Sequence, residues 1–183
     1  MALSLLLIAL MMSASLHTAC FVSPKGPPVS VESSNHRPQI VTETVQPQYS
    51  ENGPIIVTCA SDQIDVDFQV ATIIDFDVEQ WLHVRWFIDY DPHLNMVNSR
   101  PFAEQEVEGH DGGSAERDVD ISVRVPLNWL PLTTRLGTHL VEVVVSDAPP
   151  LSVGELPYRS FPPGGLSDTY SWVIEVQESE GCQ

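Results

Sequence analysis

Positive charge is scarce in this chain. Eight Lys and Arg stand against 25 Asp and Glu among 183 residues, a formal net charge of −17. The eight are Lys25 and seven Arg scattered singly, so the sequence holds no basic patch. Phosphate recognition needs clustered cations, and nucleic acid is therefore not an expected partner. Electrostatic adsorption to an anionic membrane is disfavoured for the same reason. Cysteine is also sparse, at three, with no Cys-x-x-Cys to hold zinc. The six His form neither His-x-x-x-His nor His-Glu-x-x-His. No Gly-x-Ser-x-Gly marks a nucleophile and no Gly-rich loop cradles a phosphate, so His110–Asp118 (HDGGSAERD) reads as a loop and not as a catalytic set. Neither a catalytic residue nor a cofactor is expected, and the chain reads as a non-enzyme. The longest uncharged apolar run, Leu3–Met12 (LSLLLIALMM), is ten residues, about half of what a spanning helix needs.

What that run does match is the apolar core of a secretory signal, about 7–15 residues long. It is followed by SASLHTAC, ending at Cys20. The segment resembles the lipobox of bacterial lipoproteins, in which a small residue precedes an invariant Cys that receives lipid. Ala19 matches the position before the Cys, while Leu16 stands one place further upstream than the family's Leu. The resemblance implies a signal peptide over 1–19, lipidation at Cys20 and a membrane contact through that anchor. With Phe21 and not Asp after the Cys, it implies the outer membrane of a cell envelope. Cleavage without lipid and a buried apolar helix are the alternatives. Residues 20–38 are rich in Pro and Ser, a composition that stays extended and serves as a tether.

From Gln39 to the end, at 183, the apolar residues alternate. Ile64, Val66, Phe68 and Val70 form one series; Leu82, Val84, Trp86 and Ile88 another; then Val119–Val125, Val141–Val145 and Trp172–Val176. Weaker strands are expected at Ile40–Val45 and Ile55–Cys59. Period two with one buried face predicts antiparallel strands. No helical period of useful length occurs, although PLNWLPLTTR, 126–135, has room for one turn. Short strands between Pro-, Gly- and Asp-rich turns predict an all-β fold, an antiparallel two-sheet sandwich.

LHVRWFIDYD with Trp86, and GTHLVEVVVSD followed by SWVIEVQ, are similar to strands of immunoglobulin-like and fibronectin-III-like extracellular modules. The resemblance implies Trp86 in the core and an edge strand that pairs in parallel with the last strand. With Cys20 taken by lipid, it implies a disulfide between Cys59 and Cys182; two free thiols are the alternative. Such phrases recur in lipid-anchored envelope proteins, so the resemblance implies a binding or assembly domain with a protein or glycan partner.

Two features speak to binding. The loop 146–167 holds five Pro and three Gly, and carries Tyr158, Arg159 and Phe161, residue types enriched at interfaces. The alternative is a loop that packs these side chains back on the sheet. Four Asp-x-Asp pairs occur: Asp65/Asp67, Asp75/Asp77, Asp89/Asp91 and Asp118/Asp120. Most are expected on solvent faces or in turns. Asp75 and Asp77 with Asp147 and Asp168 make the one set able to gather at a single end and offer oxygen to Ca²⁺. No metal site is assigned on that basis. A Ca²⁺-dependent structural or adhesive module, or an accessory lipoprotein of an envelope enzyme, is the alternative function.

Overall fold

A computed structural model describes residues 35–48, 53–60, 62–92, 100–130, 135–151 and 159–179, all within one unit spanning Ser34–Gln183. The expected signal peptide and Cys20 lie outside the described residues, as does most of the tether.

The described chain is all-β, in two sheets around one core. Strands β1 (Gln39–Ile40) and β2 (Val45–Gln46) are separated by a 3-10 turn at Thr42–Thr44. Then come β3 (Ile55–Val57), β4 (Cys59–Ala60) and β5 (Gln63–Ile64). Longer strands follow: β6 (Phe68–Ile74), β7 (Leu82–Ile88), β8 (Ala103–Val107), β9 (Glu116–Val123), β10 (Gly137–Ser146) and β11 (Ser167–Val176). In the first sheet β1 and β2 line one edge of β6, and β9 lines the other. The second sheet has the order β3-β11-β10-β7-β8. Every pairing is antiparallel except β3 with β11, where Ile174 faces Ile55. An edge strand thus runs parallel to the last strand, as the sequence reading expected.

The strong alternations all gave strands, although Val125 lies past the end of β9 and one other series is interrupted. The series Ile64–Val70 breaks at 65–67, so that Ile64 ends the small β4–β5 hairpin while Phe68 opens β6. Strand β8, AEQEV, has no apolar alternation to announce it. It forms because β7 offers a free edge, where His83 and Arg85 lie opposite Glu106 and Glu104. The turn allowed within 126–135 is a 3-10 turn at Leu127–Trp129. Facing Ala71, β9 carries one extra residue between Asp118 and Ile121, a bulge that holds Asp120 at φ +42°. Asp tolerates this left-handed conformation better than most residues, and its carboxylate accepts a hydrogen bond from Gln69 Nε2.

The core is built around tryptophan. Trp86 and Trp172 are both buried, stacked with centroids 5.9 Å apart, and the Phe68 ring meets Trp172 edge-on at 5.3 Å. Each indole N–H has an acceptor: Trp172 donates to Pro47 O (2.8 Å) and Trp86 to Gln105 Oε1 (3.3 Å). That satisfaction lets large amphipathic rings fill the space between the sheets. Leu82, Val84 and Ile88 share the Trp86 face, while Phe87 is buried on the opposite face with Val144.

Replacing Trp86 by Ala leaves a large cavity between the sheets and a Gln105 amide without its partner. The expected cost is about 3–5 kcal/mol. Denaturant unfolding of Trp86→Ala measures it; an unchanged midpoint would place the side chain outside the core.

Candidate functional site

Strand direction gathers one set of loops. β6 ends and β9 begins at the pair Ile74–Glu116, β7 begins beside the end of β8 at Leu82–Val107, and β10 ends opposite His83 at Ser146. The segments 75–81, 108–115 and the start of 147–166 therefore emerge at the same end of the sandwich. The chain enters there too. His36 N donates to Asp77 Oδ2 (2.6 Å), Asn35 Nδ2 donates to Asp147 Oδ2 (2.8 Å), and Ile40 N donates to Asp168 Oδ2 (2.8 Å). Residues 35 and 36, expected in the tether, are thus fastened to the domain.

Arg117 holds this end together. Its guanidinium is 2% exposed and the Asp75 carboxylate 0%, with Nη2 to Oδ2 at 2.6 Å. The same guanidinium donates to Gln80 O (2.8 Å) and Asp77 O (3.0 Å). Asp75 also accepts from Asp77 N through Oδ1 (3.1 Å). One side chain from β9 therefore fixes the chain on both sides of the 76–80 turn. From the other side His110 N donates to Val78 O (2.9 Å). Gly109 lies so close to Glu79 that a Cβ there would stand 2.2 Å from the Glu79 carbonyl oxygen, so only glycine fits.

The rigid turn presents apolar surface. Phe76 is 62% exposed and Trp81 48%. A pocket of about 300 Å³ opens beside Phe76, its described lining being Phe76, Asp77, Val78, Glu79 and Gln80. The sequence reading passed over both aromatics. Phe76 stands between the two carboxylates of an Asp-x-Asp pair. A phenylalanine flanked by acids, outside any alternating series, was the available signal.

The four carboxylates that were candidates for Ca²⁺ do come to this end, but they are held by other groups. Asp75 is paired with Arg117, Asp77 with His36, Asp147 with Asn35 and Leu166 N, and Asp168 with Ile40 N. Among the described residues no three His, Cys, Asp or Glu side chains are grouped to hold a metal ion. Of the remaining Asp pairs, Asp67 accepts both hydrogen bonds of a fork from Arg124 (2.6 and 2.9 Å), which holds its carboxyl below the usual range. Asp89, at φ +47°, accepts from Leu140 N (2.9 Å) and meets His139 Nδ1 at 2.6 Å. Because His139 Nε2 faces the Arg135 carbonyl (3.1 Å), both ring nitrogens have acceptors.

The loop 146–167 follows the alternative reading where it is described. Tyr158 lies outside the described residues. Phe161 packs on Phe87 and Val144, on the outer face of the second sheet. Arg159 lies over the rings of Tyr90 (5.1 Å) and Phe87 (5.8 Å), and reaches both Glu142 oxygens (3.1 and 3.2 Å) and Thr169 Oγ1 (3.4 Å). Burial under this strap pushes the Tyr90 phenol above its usual range. Arg159 and Phe161 are therefore used within the domain. The side-chain types that anchor interfaces are good at burying area, and here the exposed face of the sheet was nearest.

Cys59 is buried and disulfide-bonded. Its partner lies outside the described residues, as does Cys182.

Removing Arg117 leaves Asp75 buried and uncompensated. Arg117→Leu is expected to destabilise by about 3–5 kcal/mol, the usual result of breaking one half of a buried pair. Arg117→Leu with Asp75→Asn should recover part of the loss. Thermal unfolding of the three variants checks this; a single variant as stable as the parent would show that the pair does not hold the loop. No protein-family model and no curated protein matches the chain, so the geometry of this end is what speaks to function.

Proposed function

We propose that the chain is a non-enzymatic, lipid-anchored cell-envelope protein whose immunoglobulin-like domain binds a partner through its 75–81 end. One observation carries the binding face: Phe76 and Trp81 stand exposed on a turn that a buried ion pair holds rigid. Large exposed aromatics cost solubility, and a fixed backbone beneath them lowers the ordering cost of binding. The immunoglobulin-like reading draws support from the strand order and from the parallel edge strand. The anchor rests on the apolar leader and on Cys20. Acyl chains at about 0.8 kcal/mol per buried CH₂ give stable attachment when two or more are present.

A photoreactive amino acid at position 76 or 81 of the full chain, used in intact cells, should give a discrete adduct. The same group at position 56, an equally exposed apolar site on β3, should not. Adducts from 56 alone would move the binding face elsewhere. In the same cells Cys20→Ala should shift the protein from the detergent phase to the aqueous phase. Aqueous partition of the unaltered chain would remove the anchor.

The partner of Cys59 is proposed to be Cys182. The parallel ladder continues past β11, with Gln177 N donating to Val57 O (3.0 Å). Ser179 Oγ then donates to the carbonyl of Cys59 itself (3.2 Å). Cys182 follows three residues later, within reach of the 4.4–6.8 Å Cα separation a disulfide needs. The bond would hold the end of the chain against the sheet. Non-reducing peptide mapping of the exported protein should find Cys59 joined to Cys182; a Cys59–Cys20 peptide would overturn both the pairing and the lipidation.

A further inference from the structure

We propose that the pocket beside Phe76 is a recognition site for a cationic side chain, the Lys or Arg of an extended basic peptide segment. The proposal deepens the reading of the 75–81 end as the binding face and rests on it. The described lining holds an aromatic ring, an aliphatic side chain, an amide and two carboxylates, of which Asp77 is paired with His36 and Glu79 is the one exposed to a ligand. At about 300 Å³ the pocket takes a long side chain with room to spare. The face of an aromatic ring attracts a cation through its quadrupole, and indole does so best; Trp81 stands exposed one residue beyond the lining. A carboxylate beside the ring adds a charge-assisted hydrogen bond, and Glu79 is exposed to give one.

Two further observations select a cation over other occupants. The neighbouring loop, hydrogen-bonded to this one at Val78, carries exposed Glu108 and Asp111, and the whole chain bears −17. This field draws basic partners and repels anionic lipid surfaces. A sugar would use the ring and the carboxylates but would leave the charge unanswered. The domain also contains the same arrangement internally. Arg159 lies over Tyr90 and Phe87 while Glu142 takes its N–H groups. Aromatic face, carboxylate and cation thus already form a packed unit on the second sheet. At the 75–81 end the His36 ring packs on Phe76 (centroids 5.7 Å) and meets Asp77, while Phe76 stays 62% exposed and Glu79 is exposed beside it in the chain.

The test uses the full-length protein in detergent at physiological salt, titrated calorimetrically with hexalysine, hexaarginine, hexaglutamate and chitohexaose. The two basic peptides should bind, and hexaglutamate and chitohexaose should not. Phe76→Ala removes no charge, yet it should weaken the basic peptides about 3- to 30-fold, the range of a cation–π contact. Glu79→Gln should weaken them too, whereas Glu178→Gln, beyond the opposite end of β11, should leave them unchanged. Melting temperatures confirm that each variant is folded. Equal losses from Glu79→Gln and Glu178→Gln, with none from Phe76→Ala, would show diffuse attraction to an acidic protein and overturn the site. Binding of chitohexaose in place of the peptides would overturn it as well. Photoadducts from position 76 without basic-peptide binding would sink the cation proposal and leave the binding face standing.

Discussion

The buried pair of Arg117 and Asp75 is the contact on which the arrangement of the loop end depends. Two charges withdrawn from water are costly, and a pair of this kind stabilises little against an apolar replacement. Its value lies in geometry. A guanidinium presents several donors in one plane, and Arg117 spends them on a carboxylate and two carbonyls from one short turn. The result joins β9 to the connection between β6 and β7 at a point where no strand pairing reaches. The close approach of Gly109 to Glu79 then adds a steric wall on the other side.

The two sheets meet over tryptophan, and this too is a matter of satisfied polar groups. Trp86 and Trp172 stack across the strand between them, each indole finding an acceptor from a neighbouring segment. The acceptor for Trp172 is Pro47, in the stretch after β2, so the first sheet's edge is tied to the second sheet's centre. On the far side of the second sheet, Phe87 and Val144 would face water were it not for Phe161 and Arg159. A sheet that is apolar on both faces needs two covers, and the chain supplies the second from its own Pro-rich loop. Arg159 and Phe161 are thus engaged on the sheet, while Phe76 and Trp81 stand exposed at the loop end.

Most of the strands were legible because a pleat of period two writes itself into the sequence wherever one face is buried. Trp172–Val176 is a case of this; Leu82–Ile88 and Val141–Val145 keep much of the pattern although their second face is buried as well. Strand β8 was not legible, because an edge strand with polar residues on both faces has no alternation to read. The break at 65–67 was hidden for the opposite reason: Ile64 and Phe68 keep the alternation across a point where the backbone changes partner. The acids at the loop end were noticed as pairs, but their role depends on what reaches them. Asp75 and Asp77 look equivalent in the sequence. In the fold one is sealed against Arg117, 42 residues away, and the other accepts from the entering chain at His36.

The sequence by itself determined the class of fold, the inward face of most strong strands and the place of Trp86. These follow from composition and from short periodicities, which are local. Only the tertiary structure decided which residues are free to act. That Arg159 lies over Phe87 and Tyr90 depends on the register of β10 against β7 and β11, and the place of Phe76 depends on Arg117 reaching its turn. Those are contacts between residues far apart in the chain, and no local pattern encodes them.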